Sequence, residues 1–366
     1  MASASPAQTT EWVYHKTADG LHPDGNEQQM VWLMNRARAN PVAEGIFLAG
    51  SGDSDIGSGI SYFAVNTTLL KTEFAQIAAK PPAAFDRRLY EGSRVHSFDL
   101  IARNAQDHNN QFTRITAAGF SFESASASVF SYANTALEAH GALNIDWGSG
   151  IGGMQTGRGH RAAIMSQQTA LLSNVGFAVV PESKPNTAVG PLVFSGAYCS
   201  AGRTAADHYN RFLVGTVWTD TNNNSRYDPG EGLNNVLIQP DRGPFHAITG
   251  VGGGWAIPIT SPDTYELTLS GTTLGGDPAR SATVGTESVL LDVQVTPGVP
   301  GMAISFRVNN HDDILLSWSG GRAPYQVQET TDIGTGWTNL GATTPDTSVR
   351  IPRSGPRNFY RVISIR

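Results

Sequence analysis

Oxygen-bearing side chains recur at a fixed spacing between residues 220 and 231. Asp220, Asn222, Asn224, Asp228 and Glu231 stand at positions one, three, five, nine and twelve of that run, and Arg226 at position seven would offer its backbone carbonyl. This is the spacing with which an EF-hand loop wraps Ca2+, a hard cation that takes six to eight oxygens and draws two of them from a terminal carboxylate. Ser225 departs from the pattern, because the sharp turn there normally uses Gly. A residue with a Cβ must adopt a costly positive φ at that point. An ordinary Asn/Asp turn is the alternative, and the full spacing favours calcium.

A second set of candidates lies upstream. Metal or acid–base chemistry needs histidines and carboxylates gathered at one place, and His96, His108, Glu123, Glu138, His140, Asp146 and His160 are the side chains available. They form no H-E-x-x-H or G-x-S-x-G motif and no closely spaced Cys/His pair, so spacing alone does not assemble them. His140 falls within an apolar helical stripe and reads as a core histidine, and His96 reads as structural or solvated. Cys199 is the single cysteine, which excludes an internal disulfide; it ends an apolar run and reads as buried. Ser149 and Ser166 have no base assigned to them.

The elements that must position these residues change character near residue 212. Before it lie the helical patterns and seven of the nine histidines. Helical spacing predicts helices over 27–47, bent or ended by Pro41, and over 85–104, 132–147 and 160–167. Residues 51–61, rich in Gly, Ser and Asp, read as a loop, and 175–180 and 192–199 as strands. After residue 212 the chain is rich in Thr, Val, Gly and Pro. Short alternating runs at 214–218, 236–238, 255–259 and 265–269, and again at 314–318, 325–329, 348–351 and 359–365, predict antiparallel strands. Residues 297–301 read as a linker.

Particular stretches resemble known families. Met34-Asn35-Arg36-Ala37-Arg38-Ala39-Asn40-Pro41, then Gly159-His160-Arg161-Ala162-Ala163-Ile164-Met165 and Asn174-Val175-Gly176-Phe177-Ala178-Val179, resemble the first helix, the Gly-His-Arg signature and the following strand of bacterial CAP (SCP-like) domains. Asp146-Trp147-Gly148 and Gly153-Met154-Gln155 fit one branch of that family. The resemblance implies a cleft holding two histidines and two acidic residues. It places the histidines at His160 and His108, with Zn2+ or another divalent transition metal between them. The acidic positions fall on Glu123, set in Phe-Glu-Ser where the family has Gly-Glu-Asn, and on Asp146, where Glu is more common. Carboxylates there would orient the imidazoles or act as general base to a metal-bound water. Residues 215–220 and 232–236, flanking the calcium-type loop, resemble SdrD B-like repeats, which implies a structural role for Ca2+. Leu315-Leu316-Ser317-Trp318 and Asn358-Phe359-Tyr360-Arg361-Val362, with Trp337, resemble a fibronectin-III or Ig-like module; Trp318 and Phe359 read as core.

The fold class expected is therefore α+β: a CAP α-β-α sandwich followed by two small all-β sandwich domains. The expected boundaries are an N-terminal tail 1–26, the CAP domain 27–211, an SdrD B-like module 212–300 and a C-terminal module 301–366. A net charge of -6 without a Lys/Arg-rich run gives nucleic acid nothing to hold, and no apolar run is long enough to span a membrane. Met1–Pro6 lacks the regions of a signal peptide, while Ala2-Ser3-Ala4 resembles the residue of a cleavage site, so the chain reads as a mature secreted monomer with an added start methionine. The function expected is binding of an extracellular ligand, glycan or surface component. A metal-dependent hydrolase of peptide, ester or glycan bonds, or an adhesin with a vestigial cleft, are the alternatives.

Overall fold

A computed structural model describes residues 9–184, 187–202, 205–271, 274, 279–295, 303–309, 313–319, 321, 323–332, 336–352 and 358–365. The proposed linker at 297–301 lies outside the described residues. The chain divides into two compact units, Met1–Ser270 with Pro278–Val295, and Gly271–Asp277 with Thr296–Arg366.

The first unit opens with a short strand, β1 (Thr10–Glu11), and a 3-10 turn at Val13–His15, before α1 (Gly25–Ala39). A reciprocal cap starts α1: Asp24 accepts from the Glu27 amide while Glu27 accepts from the Asp24 amide. Pro41 separates α1 from α2 (Pro41–Ala49) and occupies the first turn of α2, where its missing N–H costs nothing. The helix expected over 27–47 is thus two helices. Residues expected to form a loop contain α3 (Ser54–Tyr62), because the Asp53 carboxylate accepts from the amides of Asp55 and Ile56 and nucleates a turn that the Gly and Ser content alone would not favour.

There follow α4 (Thr67–Ala75), β2 (Ala84–Phe85), α5 (Arg87–Arg103), α6 (Gln111–Ala117), β3 (Phe122–Ala133), α7 (Ala136–Ile145), α8 (Gly159–Ile164), β4 (Asn174–Pro181) and β5 (Leu192–Ala201). The last strands form a four-stranded sheet in the order β2-β4-β5-β3, with only the β2–β4 pairing parallel. Residues 174–180 of β4 are all buried, as a strand covered on both faces must be. One of those faces meets α5 at backbone distance. A Cβ on Gly176 would stand 2.1 Å from the Tyr90 amide nitrogen.

The same unit continues into β6 (Phe212–Trp218), β7 (Leu237–Pro240), β8 (Phe245–Ile248), β9 (Gly254–Pro258), β10 (Asp263–Ser270), β11 (Ala279–Val284), β12 (Val289–Leu290) and β13 (Val293–Gln294). Strand β6 pairs with β9 antiparallel and with β12 and β13 parallel, and a second sheet runs β1-β8-β7-β10-β11. The N-terminal residues expected as a tail are an edge strand of that second sheet, because Trp12 buries its ring among Phe212, Val214 and Ala256. The division expected at 211/212 falls inside one unit for the same reason. Trp32 and Leu33 of α1 share a core with Trp218 and Tyr227, and Gln28 donates to the Thr216 hydroxyl at 2.8 Å.

In the second unit, β14 (Ala303–Asn309), β15 (Asp313–Ser319) and β18 (Ser348–Pro352) form one three-stranded sheet. β16 (Tyr325–Thr330), β17 (Thr338–Asn339) and β19 (Phe359–Ser364) form the other. Trp318 and Tyr325 pack edge to face in the core between them, with Leu316, Val327, Ile351 and Val362. The molecule is mixed helix and sheet, carrying several small β-sheet assemblies.

Candidate functional site

The imidazoles of His108 and His160 lie 5.9 Å apart, ring centre to ring centre. Different elements deliver them. Helix α5 ends on Asn104 in the left-handed conformation, and the chain then turns back through His108 into α6. Gln111, at the start of α6, is buried and donates to the carbonyl of Gly196 at 3.2 Å, which leaves its side-chain oxygen 2.9 Å from His108 Nδ1. Helix α7 ends on Asp146, also left-handed, with φ 56°. The buried Asp146 carboxylate accepts from the His160 amide at 3.0 Å through one oxygen, and its other oxygen lies 2.9 Å from His160 Nδ1.

Each Nδ1 thus faces an oxygen acceptor, which fixes the tautomer with the proton on Nδ1. Each Nε2 is left with its lone pair and has no hydrogen-bond partner among the described residues. His160 keeps 21% of its side chain exposed and His108 is exposed, so the pair opens to solvent. Imidazoles oriented through Nδ1 by a carboxylate and an amide are the arrangement that metal-ligating histidines take. A divalent transition metal would be held by the two Nε2 atoms, with further positions open to water or ligand.

The other candidates separate from this pair. Glu123 is exposed at a register shift in β3. Both Asp146 oxygens are engaged by His160, so Asp146 is an orienting group. His96 is buried, with Nε2 against the Asp107 carbonyl and Nδ1 against Arg114; burial pulls its pKa down. His140 lies in the core, 2.8 Å from Glu44, which also pairs with Arg36. Glu138 closes a cap at the start of α7, accepting from the Asn134 amide. Cys199 is buried and unpaired, and burial pushes its thiol up. Spacing did not single out Gln111, whose role appears only when α6 returns to β5.

The loop at 220–231 is ordered by its own oxygens. Asp220 accepts from the amides of Asn224 (3.1 Å) and Ser225 (2.8 Å), and Asn224 accepts from the Arg226 amide at 2.8 Å. Glu231 is buried; one oxygen takes the Thr221 amide and hydroxyl at 2.7 Å each, and the other takes the Asp228 amide at 2.9 Å. Ser225 has φ 61°, so the residue at the turn does adopt the left-handed conformation its position demands. Asp228 is held back by amide donors of Asn222, Asn224 and Gln29. Position nine commonly reaches Ca2+ through a water, and a carboxylate set back in this way suits that role.

Among the described residues, one three-ligand group, His22, Asp24 and Glu27, brings its atoms within 4.8 Å of one another. Its oxygens belong to the cap of α1 and to the 2.7 Å His22–Glu27 pair. His22 is drawn up by that pairing, and burial raises the Glu27 carboxyl.

No family model and no curated protein matches the chain. Among solved structures it is similar to a DUF3823 family protein from Parabacteroides merdae, with 15% identity, 39% of this chain and 79% of that one covered, and a TM-score of 0.20. A candidate carbohydrate binding protein from Bacteroides uniformis is 11% identical over 43% of this chain and 80% of its own, with a TM-score of 0.20. The FN1-FN3 domains of chicken CNTN1 are 12% identical over 51% and 81%, with a TM-score of 0.14. With no CAP family model or curated CAP protein matching the chain, the resemblance read from the Gly-His-Arg stretch is corrected. A His at a helix start followed by a buried apolar strand meets ordinary local requirements, so so short a motif does not specify a family.

Proposed function

We propose that the chain is an extracellular binding protein whose His108–His160 pair holds a divalent transition metal such as Zn2+, with a separate, structural Ca2+ site at Asp220–Glu231. The observation that supports the first part is the pairing of both Nδ1 atoms with built acceptors, Asp146 and the buried Gln111, which leaves two unpartnered Nε2 atoms on neighbouring rings. Bound there, the metal would supply Lewis acidity and open coordination positions for a ligand. The residues of this chain hold and orient it: Asp146 and Gln111 set the rings, and the helix ends at Asn104 and Asp146 set Asp146 and the segment carrying His108. Binding is favoured over hydrolysis because Asp146, the carboxylate held against the pair, is not free to serve as general base. Both of its oxygens are engaged by His160.

For the calcium site, the support is the spacing of the oxygen side chains in a loop ordered by Asp220, which accepts the amides of Asn224 and Ser225, together with the left-handed Ser225. Asp220, Asn222, Asn224, the Arg226 carbonyl, Asp228 through water, and Glu231 would be the ligands. Sites of this class fill where Ca2+ is abundant, which favours the extracellular location.

Metal content by mass spectrometry, after incubation with Zn2+ and Ca2+ and removal of excess, tests both parts. Wild type is expected to retain one transition metal and one Ca2+. His108→Ala with His160→Ala should lose only the first, and Asp220→Ala with Glu231→Ala only the second. A wild type that retains no Zn2+, or retains it equally in the histidine variant, contradicts the imidazole site.

A further inference from the structure

A groove of about 390 Å3 opens between α3, the end of β3 and the start of α7. Its walls are aromatic. Tyr62 is 83% exposed and Tyr132 45% exposed, on opposite elements. Behind Tyr62, Phe63 stacks on Trp147 with 5.9 Å between ring centres, and Phe130 meets both Tyr132 and Trp147 edge to face. Gly59 allows this arrangement, since a Cβ there would stand 2.3 Å from the Trp147 ring.

The groove is also acidic. Asp55 and Glu138 line it and no Lys, Arg or His does. Asp53 sits beside them at the cap of α3, and none of the three carboxylates has an ion pair among the described residues. The starts of α3 and α7 oppose this charge by about half a unit each, against three carboxylates, so the groove stays negative. Burial first, and the neighbouring charges of Asp55 and Asp53 after it, hold the Glu138 carboxyl above its usual range.

Two of the carboxylates are already committed as hydrogen-bond acceptors. Asp53 takes the amides of Asp55 and Ile56, and Glu138 takes the Asn134 amide. With Asp55 they supply negative potential, while the exposed rings supply negative π faces. A cation without N–H donors, wrapped in methyl groups, suits both. We propose that this groove binds a quaternary ammonium group of the choline type. The groove contains neither imidazole of the candidate metal site, so the two readings stand or fall separately.

Titrate the full chain with choline and with tetramethylammonium, following Trp fluorescence and heat. Use 3,3-dimethylbutan-1-ol as the neutral isostere and a glucosamine oligomer as a cation that carries N–H donors. Wild type is expected to bind both quaternary ions and to bind the neutral isostere more weakly. Tyr62→Ala is expected to weaken choline binding by roughly threefold to thirtyfold, the range of one cation–π contact, and Asp55→Asn, which removes one negative charge, is expected to weaken choline binding but not that of the neutral isostere. Equal binding of choline and its neutral isostere would overturn the proposal, since the groove would then be only apolar. So would choline binding indifferent to both substitutions, or binding of the glucosamine oligomer without choline.

Discussion

Asp146 and Gln111 decide what the imidazole pair can do, because each fixes which ring nitrogen carries the proton. Asn in place of Asp146 would keep the volume and tolerate the left-handed backbone. It offers one acceptor oxygen where His160 needs two, one for its amide and one for Nδ1. Asp146→Asn is therefore expected to weaken Zn2+ binding roughly tenfold to a hundredfold, as loss of such an orienting partner does. Competition against a chromogenic chelator measures this, with circular dichroism confirming the fold; unchanged affinity would show that Asp146 does not act through His160. At this scale the sequence was informative about residue types and poor at roles. His108, His160 and Asp146 meet in space, but Asp146, read as a possible base, is the acceptor that orients His160. An acid orients a histidine or activates a water according to one or two hydrogen bonds, and those are set by where α6 and α8 begin, which spacing does not report.

At the scale of elements, the close contact of α5 with β4 rests on a missing side chain. Gly176→Ala would place a methyl against the Tyr90 amide and the Leu89 carbonyl carbon, backbone atoms that cannot move without shifting the helix. A destabilisation of about 2–3 kcal/mol, at the upper end for an overpacked core, is expected; chemical denaturation measures it, and a loss below about 0.5 kcal/mol would show that α5 does not depend on this approach. Long apolar runs such as β4, β5 and β6 were legible because buried strands carry few polar residues. Strand β3 was not, because 122–128 alternates Ser with Ala after its first residues and offers little contrast between its faces. Helix α3 was missed for a related reason: its Gly and Ser read as loop, and the Asp53 cap outweighs them. At 220–231 the spacing marked a tight turn, and the structure places Ser225 there with φ 61°.

Across the whole molecule, the N-terminal segment ties the helical half to the β sheets of the first unit, and composition could not show this, because two residues of β1 carry the pairing. His15 anchors that segment: it is buried, with Nδ1 facing the Trp12 carbonyl and Nε2 2.9 Å from the Ile248 carbonyl. Burial outweighs those carbonyls and lowers its pKa to about 4. The unfolded chain takes up the His15 proton near pH 6.5 while the folded one resists it until about 4, so the unfolded state binds more protons in between and stability falls as the pH drops through that window. The full effect is about 3 kcal/mol. Denaturation midpoints of wild type and His15→Gln between pH 7 and 4 should diverge, with the wild type losing more stability; parallel curves would contradict a buried neutral His15. Anomalous X-ray scattering at the zinc edge, from crystals of the intact chain grown with Zn2+, tests whether the two imidazoles hold a metal. A peak bonded to Nε2 of both His108 and His160 is expected. A peak at His22–Glu27 instead, or none at the imidazole pair, would contradict it.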